Sequence, residues 1–218
     1  MGYSYLEFFG PYYFSSPSVK DTWKKYSFFP ESDNPFSGFY GNSGKEVKSI
    51  LSNYKMSSPS IHTDLETLEN HMGELAKGAQ ECGAKYVVLP SIPADQRQNL
   101  DQYKRMADRF NSIGEAAKSE GVLFAYHNHG YGFSESKGVV PIHYIFENTD
   151  PDLVFLEMDI FWTLGAGQNP VDLLKKYPKR YKLMHLKDMK EKLTFDGDGE
   201  NPQPVSYTHL TLPTTEAV

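Results

Sequence analysis

Three short segments carry the residue types that bind metals and move protons. The first, Tyr126-His127-Asn128-His129, puts two imidazoles two residues apart, on one face if the segment is a strand. The second, Glu157-Met158-Asp159, sets two carboxylates at the same spacing inside an apolar run, VFLEMDIFW. Carboxylates in such a run are costly to bury unless they are paired or bound to a cation. The third is His185-Leu186-Lys187-Asp188. His127, Asp159 and His185, brought in from adjacent strands, would offer imidazole and carboxylate donors to Mn2+, Mg2+, Co2+ or Zn2+ and leave positions open for substrate oxygens. His129 and Glu157 are then candidates for proton transfer, or for orienting the ligands.

Such residues need a scaffold that delivers strand ends to one place. Strands are expected at 3–9, 58–62, 86–91, 123–129, 154–162 and 181–187. Helical periodicity lies between them: Leu65, Leu68, Met72, Leu75, Ala76 and Ala79 form one stripe, and Tyr103, Met106, Ala107, Phe110, Ile113 and Ala117 a second. Thr63 with Glu66 reads as a capping box, Gly83 as a C-terminal cap, and Asn169-Pro170 as the start of a helix with Val171, Leu174 and Tyr177 inward. A short helix is expected near 142–148. Strand–helix alternation at roughly thirty-residue intervals favours an α/β fold of the (β/α)8 TIM-barrel type over an open doubly wound sheet, since no glycine-rich phosphate turn follows the first strand.

Six strands are fewer than eight, so the expectation is an incomplete barrel over residues 1–204 holding about strands 2–7. The segment 205–218, VSYTHLTLPTTEAV, continues neither pattern and reads as a non-native tail, resembling translated adaptor sequence. The stretch from Gly10 to Gly44 is rich in Tyr and Phe without helical periodicity beyond a turn near Lys20–Lys25, and is expected to form a packed lid. Lys175, Lys176, Lys179 and Arg180 read as a solvated face, and Cys82 as a small buried residue.

The chain has 218 residues, with 22 Lys and Arg against 28 Asp and Glu, a net charge of −6. Nucleic-acid binding, which wants a basic face, is disfavoured, and with it an abasic-site endonuclease on the same barrel. With 15 Tyr, 14 Phe and 2 Trp, disorder is excluded. The single cysteine makes no internal disulfide. No apolar run reaches the length of a membrane span, so a soluble protein is expected. Its compartment is expected to be the cytoplasm, with the periplasm left open because the N-terminus reads as incomplete.

The strings MGYSYLEF, YHNHGYGF, LEMDIFW and GQNPVDLLKKYPKRYKLMHLKDM, in this order, resemble the sugar phosphate isomerase/epimerase family with its xylose isomerase-like TIM barrel, over almost all of residues 1–192. The resemblance implies one divalent metal held by His127, Asp159 and His185, and a further Glu on a strand beyond residue 204, without which the chain as it stands would be inactive. It implies substrate contacts at Glu7, His62, Trp162 and Lys187. It also implies a small sugar, sugar phosphate or keto-sugar substrate, isomerised or epimerised by proton transfer beside a carbonyl. A keto-sugar lyase or dehydratase on the same scaffold and a non-catalytic carbohydrate-binding barrel are the alternatives. Relatives commonly carry Glu three residues after the second histidine; here that place is Gly132, and Glu135 would have to substitute from another register.

Overall fold

The computed structural model describes residues 4–23, 38–187 and 209–213. The chain divides into two compact units. One comprises the residues up to Leu89 together with Glu115–Phe124; the other comprises Pro90–Gly114 and the chain from Ala125 onward.

In unit one, β1 (Phe8–Phe9) pairs in parallel with β2 (Ser60–His62), and β2 pairs in parallel with β3 (Tyr86–Leu89). Helices α1 (Pro17–Trp23) and α2 (Gly44–Asn53) follow β1, and α3 (Leu65–Asn70) and α4 (Met72–Cys82) follow β2. The expected 65–79 stripe is buried as predicted, but two helices share it, with His71 at φ −134°, ψ 30° between them. The start is capped by Asp64, whose side chain accepts the Thr67 N–H, and not by the predicted Thr63–Glu66 box: Asp64 lies one residue closer to the first turn. Gly83 closes α4 at φ 91°, in the left-handed region expected of it.

Helix α2, not among the expected helices, buries Val47 and Leu51 and carries a full capping box, Ser43 accepting the Glu46 N–H while Glu46 accepts the Ser43 N–H. In the long aromatic stretch, Tyr12, Phe14 and Phe39 are buried with Phe8 in one ring cluster, Tyr12 stacked on Phe14 at 4.9 Å. A Cβ on Gly78 would come within 2.4 Å of the Phe14 ring, so this stretch is packed into unit one through a glycine-sized gap in α4. The middle of the expected lid, with Lys24 and Lys25, lies outside the described residues.

Helix α5 (Leu100–Ser119) and β4 (Leu123–His127) each run from one unit into the other. The predicted stripe of α5 is buried throughout. In β4, the Leu123 N–H donates to the Lys85 carbonyl at 3.0 Å; just past its far end, the Asn128 N–H donates to the Glu157 carbonyl at 3.3 Å.

Unit two holds α6 (Pro141–Glu147), β5 (Val154–Asp159), α7 (Ile160–Gly165), α8 (Pro170–Lys176), β6 (Tyr181–Lys187) and β7 (His209–Pro213). β5 and β6 are parallel and bring Asp159 opposite His185. β5 stops where a longer strand was expected: Asp159 caps α7 by accepting the Trp162 N–H, which turns residues 160–162 from strand into helix. Helix α8 starts at Asn169-Pro170 as expected, but buries Leu173 and Tyr177 and leaves Val171 exposed, a face rotated from the expected one. β7 pairs antiparallel to β6, a strand where the sequence showed no strand pattern; 188–208 and 214–218 lie outside the described residues. Among the described residues no helix is long and apolar enough to cross a membrane.

Arg180, expected in solvent, is buried. Its guanidinium donates to the carbonyls of Val154, Phe146 and Thr149 and to the Thr149 hydroxyl, closing the end of α6 and the start of β5. A planar five-donor head can satisfy these acceptors together and an ammonium cannot. Arg180→Lys is therefore expected to destabilise the chain by about 1–3 kcal/mol, read as a lower midpoint in urea with unchanged slope.

Candidate metal centre

Each strand end of unit two contributes from its last residues. β4 ends at His127, β5 at Glu157 and Asp159, β6 at His185 and Lys187. Period-two alternation sends Glu157 and Asp159 to one face, and the β5–β6 register sets Asp159 beside His185. Glu157 and Asp159 have no exposed surface, and His127 retains 3%.

The imidazole of His127 lies between the two acids. Its Nδ1–H donates to Glu157 Oε2 at 2.8 Å, and its Nε2 is 3.4 Å from Asp159 Oδ2. His185 repeats the arrangement more loosely, Nε2 at 3.7 Å from Glu157 Oε1 and Nδ1 at 3.8 Å from Asp159 Oδ2. Lys187 Nζ is 2.5 Å from the same Asp159 oxygen. One donor atom each from His127, Glu157 and His185 lies within 4.8 Å of the others. Metal bonds of about 2.0–2.2 Å would separate neighbouring tetrahedral donors by about 3.4 Å, so the spacings around Asp159 Oδ2 suit one small divalent cation. The donor set, imidazole nitrogen with carboxylate oxygen, suits Zn2+, Mn2+ or Co2+.

Electrostatics keeps Asp159 ionised in a dry place. Burial alone would raise the Asp159 carboxyl, but the hydrogen bond to His127 and the charges of His127 and Lys187 hold it well below the usual carboxylate range. Burial alone would lower the His127 imidazole, but its bonds to Asp159 and Glu157 outweigh that and raise it.

Asp159 is also fixed from behind, by residues the sequence reading did not single out. Its backbone N–H donates to Asn128 Oδ1 at 3.2 Å, Asn128 Nδ2 donates to Thr163 Oγ1 at 3.1 Å, and the Thr163 hydroxyl donates to the Asp159 carbonyl at 2.8 Å. The available signal was the Asn inside the His-Asn-His segment and a Thr four residues after the acid.

His129, half-buried, stacks on Trp162 at 4.8 Å and 13°, and meets His127 edge to face at 5.4 Å. Lys187 Nζ lies 5.8 Å from the Trp162 ring. Glu7 and His62 belong to unit one, where His62 Nε2 is 3.0 Å from Glu7 Oε2 and the Ser60 hydroxyl donates to Glu7. Asp188 lies outside the described residues. Gly132 sits at φ +79° with a virtual Cβ 3.0 Å from the Tyr103 ring, and its carbonyl accepts the Ile142 N–H of α6. A side chain here would strain the left-handed backbone and press on Tyr103. Glu135 is exposed at the surface.

A family model described as xylose isomerase-like TIM barrel matches residues 2–207. The chain belongs to the xylose isomerase-like TIM barrel family. Within the family, it is similar to the inosose dehydratase of Clostridium beijerinckii, 34% identical over 107 residues, which is 44% of this chain and 35% of that protein. The match to the inosose dehydratase of Clostridium tetani is 35% identical over 92 residues. These matches span about a third of the length of those relatives. Among solved structures, a sugar phosphate isomerase/epimerase from Parabacteroides distasonis superposes with a TM-score of 0.66 at 28% identity, covering 86% of this chain and 65% of that one. The IOLI protein, solved with a zinc atom, shares the fold at a TM-score of 0.59 and 16% identity, covering 92% of this chain and 67% of that one.

His127 is raised, so it holds its proton to higher pH than an ordinary imidazole, and a metal bound there would have to displace that proton. The affinity of the protein for Zn2+ is therefore expected to climb as pH rises from about 6 to about 8, by tenfold or more, in a competition titration against a chromogenic chelator.

Proposed function

We propose that this chain is the metal-binding part of a sugar-processing enzyme that transfers a proton beside the carbonyl of a sugar, sugar phosphate or keto-sugar, as an isomerase or epimerase does. The observation that carries the reading is the pair of buried acids, Glu157 and Asp159, facing two imidazoles at ligand spacing. His127, Asp159 and His185 would hold the divalent cation. Glu157 has no exposed surface and accepts the His127 Nδ1–H, so it orients that ligand and strengthens it as a base. When bound, the cation supplies Lewis acidity that polarises the substrate carbonyl and acidifies the neighbouring C–H.

The proton itself falls to His129. It is half-buried, and its stack on Trp162 at 4.8 Å fixes the ring plane. Trp162 and Lys187 are assigned to substrate contact, the indole to the apolar face of the ring and the ammonium to its oxygens.

Dehydration of a keto-sugar is the second reading, favoured by the likeness to inosose dehydratases over 107 residues. It begins with the same proton abstraction and differs in its outcome, the loss of a neighbouring hydroxyl. Assaying the metal-loaded protein against keto-sugars and inososes, with separate detection of isomerised and dehydrated products, distinguishes the two. His129→Asn is expected to lower kcat by about a hundredfold or more with bound metal unchanged. Chelation is expected to abolish turnover and re-addition of Mn2+, Co2+ or Zn2+ to restore it. Full activity in the chelated protein would sink the reading.

A further inference from the structure

We infer that the Lys187 ammonium and the divalent cation compete for one oxygen, Asp159 Oδ2, so that metal binding releases Lys187 from Asp159 toward Trp162. The inference rests on the proposed ligation by Asp159 and adds a function for the lysine in setting metal affinity.

Asp159 presents its two oxygens to different tasks. Oδ1 accepts the Trp162 N–H at the start of α7, and Oδ2 faces His127, His185 and Lys187. Lys187 Nζ lies 2.5 Å from Oδ2, closer than either imidazole nitrogen, on the oxygen a ligated cation would use. Two cations at contact with one buried oxygen repel each other strongly in a low dielectric. The lysine therefore compensates the acid before the metal arrives and must yield when it does.

The side chain has a place to go. Lys187 Nζ already lies 5.8 Å from the ring centroids of both Phe161 and Trp162, and an ammonium above an indole face is a favourable resting place. Four single bonds in the side chain allow the swing without moving β6. Released, the ammonium would stand beside the Trp162 ring as a hydrogen-bond donor for a substrate oxygen. Metal loading and substrate binding would thereby be coupled through one side chain.

The test is calorimetric titration of the full chain with MnCl2, using Lys187→Met, which keeps the stem and removes the charge, and Lys187→Arg, which keeps a cation. Lys187→Met is expected to bind Mn2+ about tenfold more tightly or better, and Lys187→Arg to stay within about threefold of the parent. Adding Asp159→Asn to Lys187→Met is expected to erase the gain. A parent that binds Mn2+ with a Lys187→Met variant that binds it equally or more weakly overturns the competition and leaves the metal centre standing. A parent and variants that all fail to bind Mn2+ overturn both. A readout needing no variant is acetylation of Lys187 by acetic anhydride, followed by peptide mass spectrometry. Saturation with Mn2+ is expected to raise labelling of Lys187 at least about twofold relative to exposed lysines such as Lys118, and unchanged labelling contradicts the release.

Discussion

Two carboxylates without solvent exposure, Glu157 and Asp159, set the terms for unit two. Taking either into a protein interior costs several kcal/mol even after relaxation, and only nearby positive charge and good hydrogen bonds recover it. The structure answers with His127 between the acids, His185 beside them and Lys187 against Asp159. A strand that needed only to pack would have used apolar residues here, as Val154, Leu156 and Met158 do on its other face. Both acids depend on the imidazoles and the ammonium that face them.

The fold supplies the positioning. β5 ends at Asp159 and α7 begins on it, so this acid is at once strand end and helix cap, and it faces His127, His185 and Lys187. Asn128, just past the end of β4, and Thr163 of α7 lock its backbone. Such support matters because a ligand displaced by an ångström no longer meets a cation at bonding distance.

Much of this was legible in the sequence for physical reasons. The period-two spacing of Glu157 with Asp159 survives in β5, whereas β4 stops at His127, short of the expected 129; the α5 stripe is buried residue for residue. The 181–187 strand has the expected bounds. Family membership follows the same motifs, which the family model spans. What was not legible depended on competition between local signals. The run VFLEMDIFW looks like one long strand, but an aspartate two-thirds along it captures the Trp162 N–H and starts a helix. Arg180 sits among lysines and looks solvated, yet converging carbonyls from α6 and β5 draw it inside. Helix α2 carries both signals, Val47, Ile50 and Leu51 at helical spacing and the Ser43–Glu46 capping box, but sits at the end of a long aromatic stretch without helical periodicity. The missing acid at Gly132 could be noticed in the sequence, but its reason, a left-handed backbone against Tyr103, is a tertiary fact.

The central claim is that imidazoles from two strands and an acid from the strand between them hold one cation. X-ray absorption at the zinc edge, on the full chain loaded with one equivalent of Zn2+ and freed of excess metal, tests it directly. The account predicts a retained zinc whose first shell contains two imidazole nitrogens with oxygen neighbours and no sulfur. Zinc lost on desalting, or a shell without imidazole scattering, would contradict it.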